Sequence, residues 1–379
     1  MYRTMVILIG IVLILVTVGI VMLASTSSVQ GGTQYHDPLF FVKRQAVGLV
    51  VGAFIALFAA RLDYHYWRPL AIPLALASLV LLVLVLIPGV GQTVKGSSRW
   101  LRMGPATFQP SELAKFSSVI LISWWMSRFQ LHARELRMGL VYPLALLGLF
   151  LGLVFIEPDF GTTMLLAMVG MLLLFLGGSR VGYLAVAGVG GATLFSLAIL
   201  HDPVRLRRIT AFLDPEQYAR KEAFQLLNAI YAFVVGGGRG VGFGQSLQKH
   251  FYLPEAHTDF IFAIIGEELG MKGSLGVLAL FLGLFLCGLY ISYRAPDRFG
   301  QLLGCGCTLM LSLQALINMG VVTGSLPTKG LPLPFISFGG SSLVASMALV
   351  GVLLNLARQA ISEEDERDAR CIRDAARRI

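Results

Sequence analysis

The sequence predicts an all-α, polytopic membrane protein of about ten transmembrane helices, and three observations carry that expectation. Of 379 residues, 56% are hydrophobic and 13% charged, about half the charged share of a soluble domain. Mean hydropathy is +0.76. Apolar runs long enough for a bilayer core, which takes about 20 residues per helix, recur from one end of the chain to the other.

The first run starts almost at Met1, covers 5–24 and reads as a retained span. It exceeds a signal-peptide core and lacks a convincing small-residue cleavage site. Further spans are expected near 46–61, 69–88, 111–127, 139–157, 162–177, 182–200, 260–292, 301–323 and 340–357. The eighth is long enough to tilt or to project beyond the bilayer. An even number places both termini on one side. The Lys/Arg counts of the two sides nearly tie until the long 201–259 segment is discounted, because long loops translocate largely regardless of charge. The remainder puts both termini in the cytoplasm. A transmembrane domain over 1–361 is thus expected, with one long extracytoplasmic loop at 201–259 between spans seven and eight. A charged cytoplasmic tail follows at 362–379.

A net charge of +9 does not point to nucleic acid, since no basic helix or aromatic–basic repeat lies in a soluble segment. Positive charge in such a chain marks cytoplasmic loops and anionic headgroups. Cys287, Cys305, Cys307 and Cys371 suggest neither a disulfide framework nor a zinc site. The outer face is nevertheless basic: Lys95, Arg99 and Arg102 precede the fourth span, and Arg205, Arg207 and Arg208 open the long loop. Headgroup contact explains any one of them. Together they suit a ligand with phosphate or pyrophosphate at the outer surface.

The sharpest segment is Tyr252-Leu253-Pro254-Glu255-Ala256-His257-Thr258-Asp259-Phe260-Ile261-Phe262-Ala263, followed by Gly266-Glu267-Glu268-Leu269-Gly270. Asp259 stands where a polar loop becomes an apolar span, and an ionisable group at that depth is costly enough to be a functional suspect. Partial desolvation would strengthen it as a general base, while neighbouring cations would weaken it. An N-cap role, accepting free N–H groups at the helix start, fits the same position equally well.

In Gln109-Pro110-Ser111-Glu112-Leu113-Ala114-Lys115, Pro110 suits a first helical turn, and Glu112 and Lys115 share a face. A structural ion pair supporting a polar cavity is the favoured reading, because pairing lowers the cost of burying either charge. Just upstream, Gly96-Ser97-Ser98-Arg99-Trp100-Leu101 presents Trp100, as an interfacial belt residue more readily than a sugar platform.

The Pro- and Gly-rich run from Gly324 to Ser342 cannot be regular helix. Irregular backbone at membrane depth survives only where protein buries it or it lines a cavity, so this run is expected in a polar site, with Lys329 meeting a phosphate. Two signals are weaker. Gly236 to Gly244 looks like a phosphate cradle but follows no expected strand, so a close-packed turn is preferred. Glu157-Pro158-Asp159-Phe160-Gly161-Thr162 joins two spans, where turn and cap chemistry suffices for Asp159.

Together these segments resemble the SEDS family (shape, elongation, division and sporulation) over essentially the whole chain, in order. Pro254-Glu255-Ala256-His257-Thr258-Asp259, Ile264-Ile265-Gly266-Glu267-Glu268 and Leu326-Pro327-Thr328-Lys329-Gly330 look more like its FtsW branch than its RodA branch. Phe338, where the family often has Tyr, is a conservative departure. The resemblance implies a glycosyltransferase polymerising lipid II through β-1,4 bonds at the outer face of the cytoplasmic membrane, in septal wall synthesis. It also implies an essential acid at Asp259, and partnership with a single-span class B penicillin-binding protein among other divisome proteins.

On this reading the donor leaves as undecaprenyl pyrophosphate, so cations rather than an acid must stabilise it. Arg99, Trp100, Lys329, Arg205, Arg208 and Ser341 are the candidates for substrate or pyrophosphate binding. Glu112, Lys115, His257 and Asp159 support the polar cavity. Mg2+ or Mn2+ is compatible with this chemistry, although no metal-ligand spacing is visible and no organic cofactor is expected. Two rival functions are a lipid II flippase, for which Glu112, Lys115, Gln314 and Asn318 would line a path, and a non-catalytic divisome scaffold. No inverted repeat favours transport.

Overall fold

The computed structural model describes residues 1–94, 97–103, 106–218, 223–250 and 252–376. Among them the helices run α1 Tyr2–Tyr35, α2 Phe40–Arg61, α3 Trp67–Leu86, α4 Pro110–Arg128, α5 Tyr142–Ile156, α6 Phe160–Gly177, α7 Val181–Leu200, α8 Pro203–Leu213, α9 Phe224–Gly236, α10 Ile261–Tyr293, α11 Arg298–Val322 and α12 Gly340–Ala376. Nine candidate spans among the described residues are long and apolar enough to cross a bilayer; they rest on α1, α2, α3, α5, α6, α7, α10, α11 and α12. The chain is a multi-pass helical membrane protein.

The expected span at 111–127 is present as α4 but is not one of those nine. Glu112, Lys115 and the serines at 111, 117, 118 and 123 dilute its apolar character. Protein rather than lipid accommodates those groups, because 14 of its 19 residues are buried. It packs on α3, α5, α6, α11 and α12, and the Ser78 and Ser117 hydroxyls pair across α3 and α4 at 2.8 Å. By contrast, Leu184 is the buried residue of α7, a helix that turns most of its surface outward. α2 and α12 meet closely, with Gly351 against the Ala56 backbone and Gly52 against Met347. Small residues let helix backbones approach in this way.

Three features depart from the sequence expectation. Between α3 and α4 lies an antiparallel sheet, β1 Gly91–Val94, β2 Ser97–Met103 and β3 Ala106–Phe108, in the order β1-β2-β3. The segment expected as a long loop carries α8 and the apolar α9, and α9 packs on α10 and α11. The charged tail from 362, for which helix is one of the expected forms, continues α12 to Ala376 and is no departure. Finally, α10 is two helices broken at Gly270, whose φ of 68° lies in the left-handed region. The Gly-rich turn after α9 fills that break: Val241 N donates to Glu267 O (3.0 Å), Gly242 N to Glu268 O (3.1 Å) and Met271 N to Gly237 O (2.9 Å). It is a close-packed turn.

Candidate active site

Residues Leu253–Phe260 form a chain of turns that delivers Asp259 to the start of α10. The cap of α10 is Phe260 and no side chain caps the helix, so the carboxylate of Asp259 is not an N-cap. Asp259 is half-buried. Its Oδ2 faces Gly330 so closely that a Cβ there would lie 2.9 Å away. A side chain there would crowd the carboxylate, so the close approach of the two segments requires glycine.

The connector 323–339 runs beside this turn and is tied to it. Phe338 N donates to His257 O (3.0 Å), and Ser337 Oγ donates to Thr258 O (2.6 Å) while accepting from Leu333 N (2.8 Å). The His257 ring is buried against Phe41 and Phe338, with centroids 4.6 and 5.9 Å away. On the far side, Gln45 of α2 grips the connector twice: Nε2 donates to Ser337 O (3.1 Å) and Oε1 accepts from Gly339 N (3.1 Å).

Two amides of α11, one turn apart, hold the middle of the connector. Gln314 Nε2 donates to Pro332 O (2.8 Å). Asn318 Nδ2 donates to Leu331 O (2.7 Å) and to Asp259 O (2.8 Å). Behind Gln314 stands the expected pair: Lys115 Nζ lies 2.7 Å from Glu112 Oε2 and donates to Gln314 Oε1 (2.8 Å). Both charges are deeply buried, at 4% exposure for Glu112 and 3% for Lys115. The pair thus reaches the candidate site through Gln314, a link the spacing alone did not reveal.

α6 closes the third side. Asp159 is its N-cap, accepting from Thr162 N (3.1 Å) and Thr162 Oγ1 (3.0 Å). A Cβ on Gly161 would meet Leu331 at 2.8 Å, so the helix start abuts the connector. One turn on, Met164 Sδ accepts from Lys329 Nζ (2.8 Å), whose ammonium also lies 5.4 Å from the Phe195 ring. Burial pulls the Lys329 amine below the usual lysine range. On β2, Arg99 shares a face with the buried Leu101 and donates to Glu157 O (3.1 Å) and Pro158 O in the turn before Asp159. Asp259 lies against Gly330, the residue after Lys329, and Leu331 meets the start of α6 that Asp159 caps, with Arg99 bonded to the turn before it.

Other candidates lie apart from this cluster or are engaged elsewhere. Ser341 Oγ accepts from Gln109 N and donates to Thr107 O, both at 3.3 Å, tying α12 to the start of α4. Trp100 is half-buried opposite Gln92 on β1. Arg208 is exposed on α8. The side chains of Arg205 and Cys371, and Lys95 as a whole, lie outside the described residues. Among the described residues no three His, Cys, Asp or Glu side chains gather as a metal centre.

A second polar cluster lies behind the turn. Glu267 accepts from Ser246 Oγ and Leu247 N (2.9 Å); Glu268 accepts from Ser25 Oγ (2.6 Å) and pairs with Lys249 Nζ (3.4 Å). These bonds dock residues 246–249, just ahead of the Asp259 turn, onto the first half of α10. Gln45 and Glu157 were not expected here. Gln45 stands just ahead of the span expected at 46–61, and Glu157 opens the turn read for Asp159.

The family model described as a cell cycle protein (FtsW, RodA and SpoVE) matches residues 5–362. A probable peptidoglycan glycosyltransferase FtsW of Trichlorobacter lovleyi is 43% identical over 345 residues, covering 91% of each chain. The stage V sporulation protein E of Bacillus subtilis is 38% identical over 351 residues, 93% of this chain and 96% of its own. Among solved structures, a chain from a study of polymerisation and crosslinking by a peptidoglycan synthase complex superposes with a TM-score of 0.78. It shares 29% identity, over 93% of this chain and 97% of that one. The rod shape determining protein RodA of Thermus thermophilus gives 0.69 at 28% identity, over 93% and 96%. With a family match spanning nearly its full length, the chain belongs to the FtsW/RodA/SpoVE family of cell cycle proteins.

Proposed function

We propose that the chain is a peptidoglycan glycosyltransferase that polymerises lipid II at the outer face of the cytoplasmic membrane, for septal wall synthesis in cell division. One observation carries this reading: a half-buried carboxylate, Asp259, caps no helix and lies against Gly330, the residue that follows Lys329. The names of its relatives support the reaction class.

In this mechanism Asp259 takes the proton of the acceptor sugar hydroxyl as that oxygen attacks the anomeric carbon of the donor. The new C–O bond forms as the bond to the pyrophosphate oxygen breaks, so undecaprenyl pyrophosphate departs with the electron pair and the anomeric centre inverts. The leaving group needs no proton. Lys329 and Arg99 offset its charge, and in an apolar setting such offsets are large. A pyrophosphate beside Lys329 also favours the ammonium form that burial alone opposes. Asp259 then returns its proton to solvent. The crosslinking partner is a single-span class B penicillin-binding protein, a reading supported by the peptidoglycan synthase complex that contains the similar chain.

Asp259→Asn keeps the size of the side chain and removes the base. With lipid II supplied directly to the purified protein and its transpeptidase, polymer formation should fall roughly 10²–10⁴-fold. The complex and its melting temperature should be unchanged. Near-normal polymer from the folded variant would sink the assignment. Supplying substrate directly also separates polymerisation from any transport step.

A further inference from the structure

Asp259 and Lys329 lie on different segments, and neither segment is regular helix. Their separation is therefore not set by secondary structure. One side chain spans them. The Asn318 amide donates both of its hydrogens, one to the carbonyl of Asp259 itself and one to that of Leu331, two residues beyond Lys329. Asn318 is 2% exposed and sits on the buried face of α11, a helix that positions it rigidly. Its neighbour one turn back, Gln314, fixes the next carbonyl, Pro332. Among the described residues Asn318 Oδ1 accepts no hydrogen bond. The protein-facing work of this side chain is thus done by its two donors.

We infer that Asn318 is a positioning residue that sets the spacing of the Asp259 carboxylate and the Lys329 ammonium by bridging the backbones that carry them. This rests on the glycosyltransferase reading for its catalytic consequence, but the bridge itself is a statement about structure. No other residue type of this size donates two hydrogen bonds from one nitrogen while staying neutral. A lysine would bring an uncompensated charge, an aspartate would turn acceptors toward two carbonyls, and a leucine would leave both carbonyls bare. A displacement of about 1 Å between reacting groups costs about 10²-fold in rate.

The test uses the full chain in lipid nanodiscs, with and without its transpeptidase, as wild type and as Asn318→Leu. Two readouts are independent. In hydrogen–deuterium exchange, the peptides covering 253–262 and 329–338 should exchange at least several-fold faster in the variant, while α4 and α6 keep wild-type rates. In lipid II polymerisation, kcat should fall by roughly 10–10² while KM stays within about threefold, because substrate binding is spread over other contacts. Combined with Asp259→Asn, Asn318→Leu should cost much less than it does alone, since much of its effect passes through that carboxylate. Multiplicative losses in the double variant, or wild-type kcat in the folded single variant, would overturn the inference. So would unchanged exchange of both segments, whatever the activity does. If the leucine variant fails to fold, Asn318→Ser, which keeps one donor, takes its place under the same criteria. A wild type that exchanges as expected yet makes no polymer would count against the glycosyltransferase reading and leave the bridge standing on its exchange data.

Discussion

Glu157 is fully buried in the turn between α5 and α6, beyond the ends of both helices, and its side chain feels three forces at once. Burial raises its pKa, the Asp159 carboxylate raises it further, and the Arg99 guanidinium lowers it; the balance lies at about 8. The usual value is 4.5, so the unfolded chain ionises first as pH rises. The stability that neutral Glu157 contributes is complete below about pH 4.5 and is lost as pH climbs through about 8. Glu157→Gln removes the titration but keeps the shape. Measured in detergent between roughly pH 5 and 9, the melting temperature of the wild type should fall relative to that of the variant. Parallel curves would show that Glu157 ionises normally. The same turn is the anchor for Arg99, so a shifted Glu157 also bears on where that guanidinium points.

At the scale of elements, the break in α10 is what lets a long apolar helix serve a polar site. A side chain at Gly270 would meet the backbone of Gly240 and Arg239, and the φ of 68° disfavours any Cβ. Gly270→Ala should therefore cost at least about 1–3 kcal/mol and loosen residues 246–249, which Glu267 and Glu268 hold next to the break. Gly276→Ala, in the same helix with open space around it, is the control and should be neutral or mildly stabilising. Equal melting temperatures for the two variants would remove the break as a structural requirement. Hydropathy made the apolar spans of α10 and α11 legible, and α4 with them, because Pro110, Glu112 and Lys115 mark a helix start even where serines dilute it. The irregularity of 324–339 was equally plain from its prolines and glycines. The sheet at 91–108 was hidden, since Arg99, Leu101 and Met103 alternate too briefly to stand out beside apolar runs. Nor does one sequence reveal that Asn318, 59 residues from Asp259, would reach its carbonyl. Such contacts between distant residues leave no local period.

For the whole molecule, contacts at the ends of the bundle bear on how many helices cross the membrane. The sheet before α4 touches the turn after α5 through Arg99 and Glu157. Gly161 after that turn touches Leu331, and Gly330 touches Asp259. At the other end Arg68 pairs with Asp297, Arg298 donates to Leu176 O, Ser179 Oγ to Gly139 O (2.6 Å) and Arg358 to Arg61 O (3.2 Å). These two sets of contacts fit one bundle if α4 crosses like its neighbours, despite its polarity; with nine crossings, Arg99 and Glu157 would face opposite sides. Ten crossings put the arginines at 61, 68, 128, 134, 137, 180, 294, 298 and 358 at the end away from Asp259, the side that positive residues assign to the cytoplasm. Reporters fused after Gln92 and after Gln217 should then read outside, and those after Arg134 and Ser362 inside. The pair at 92 and 134 brackets α4 alone. If both read the same side, α4 does not cross, and the sheet bearing Arg99 cannot share a face of the membrane with the turn it is bonded to.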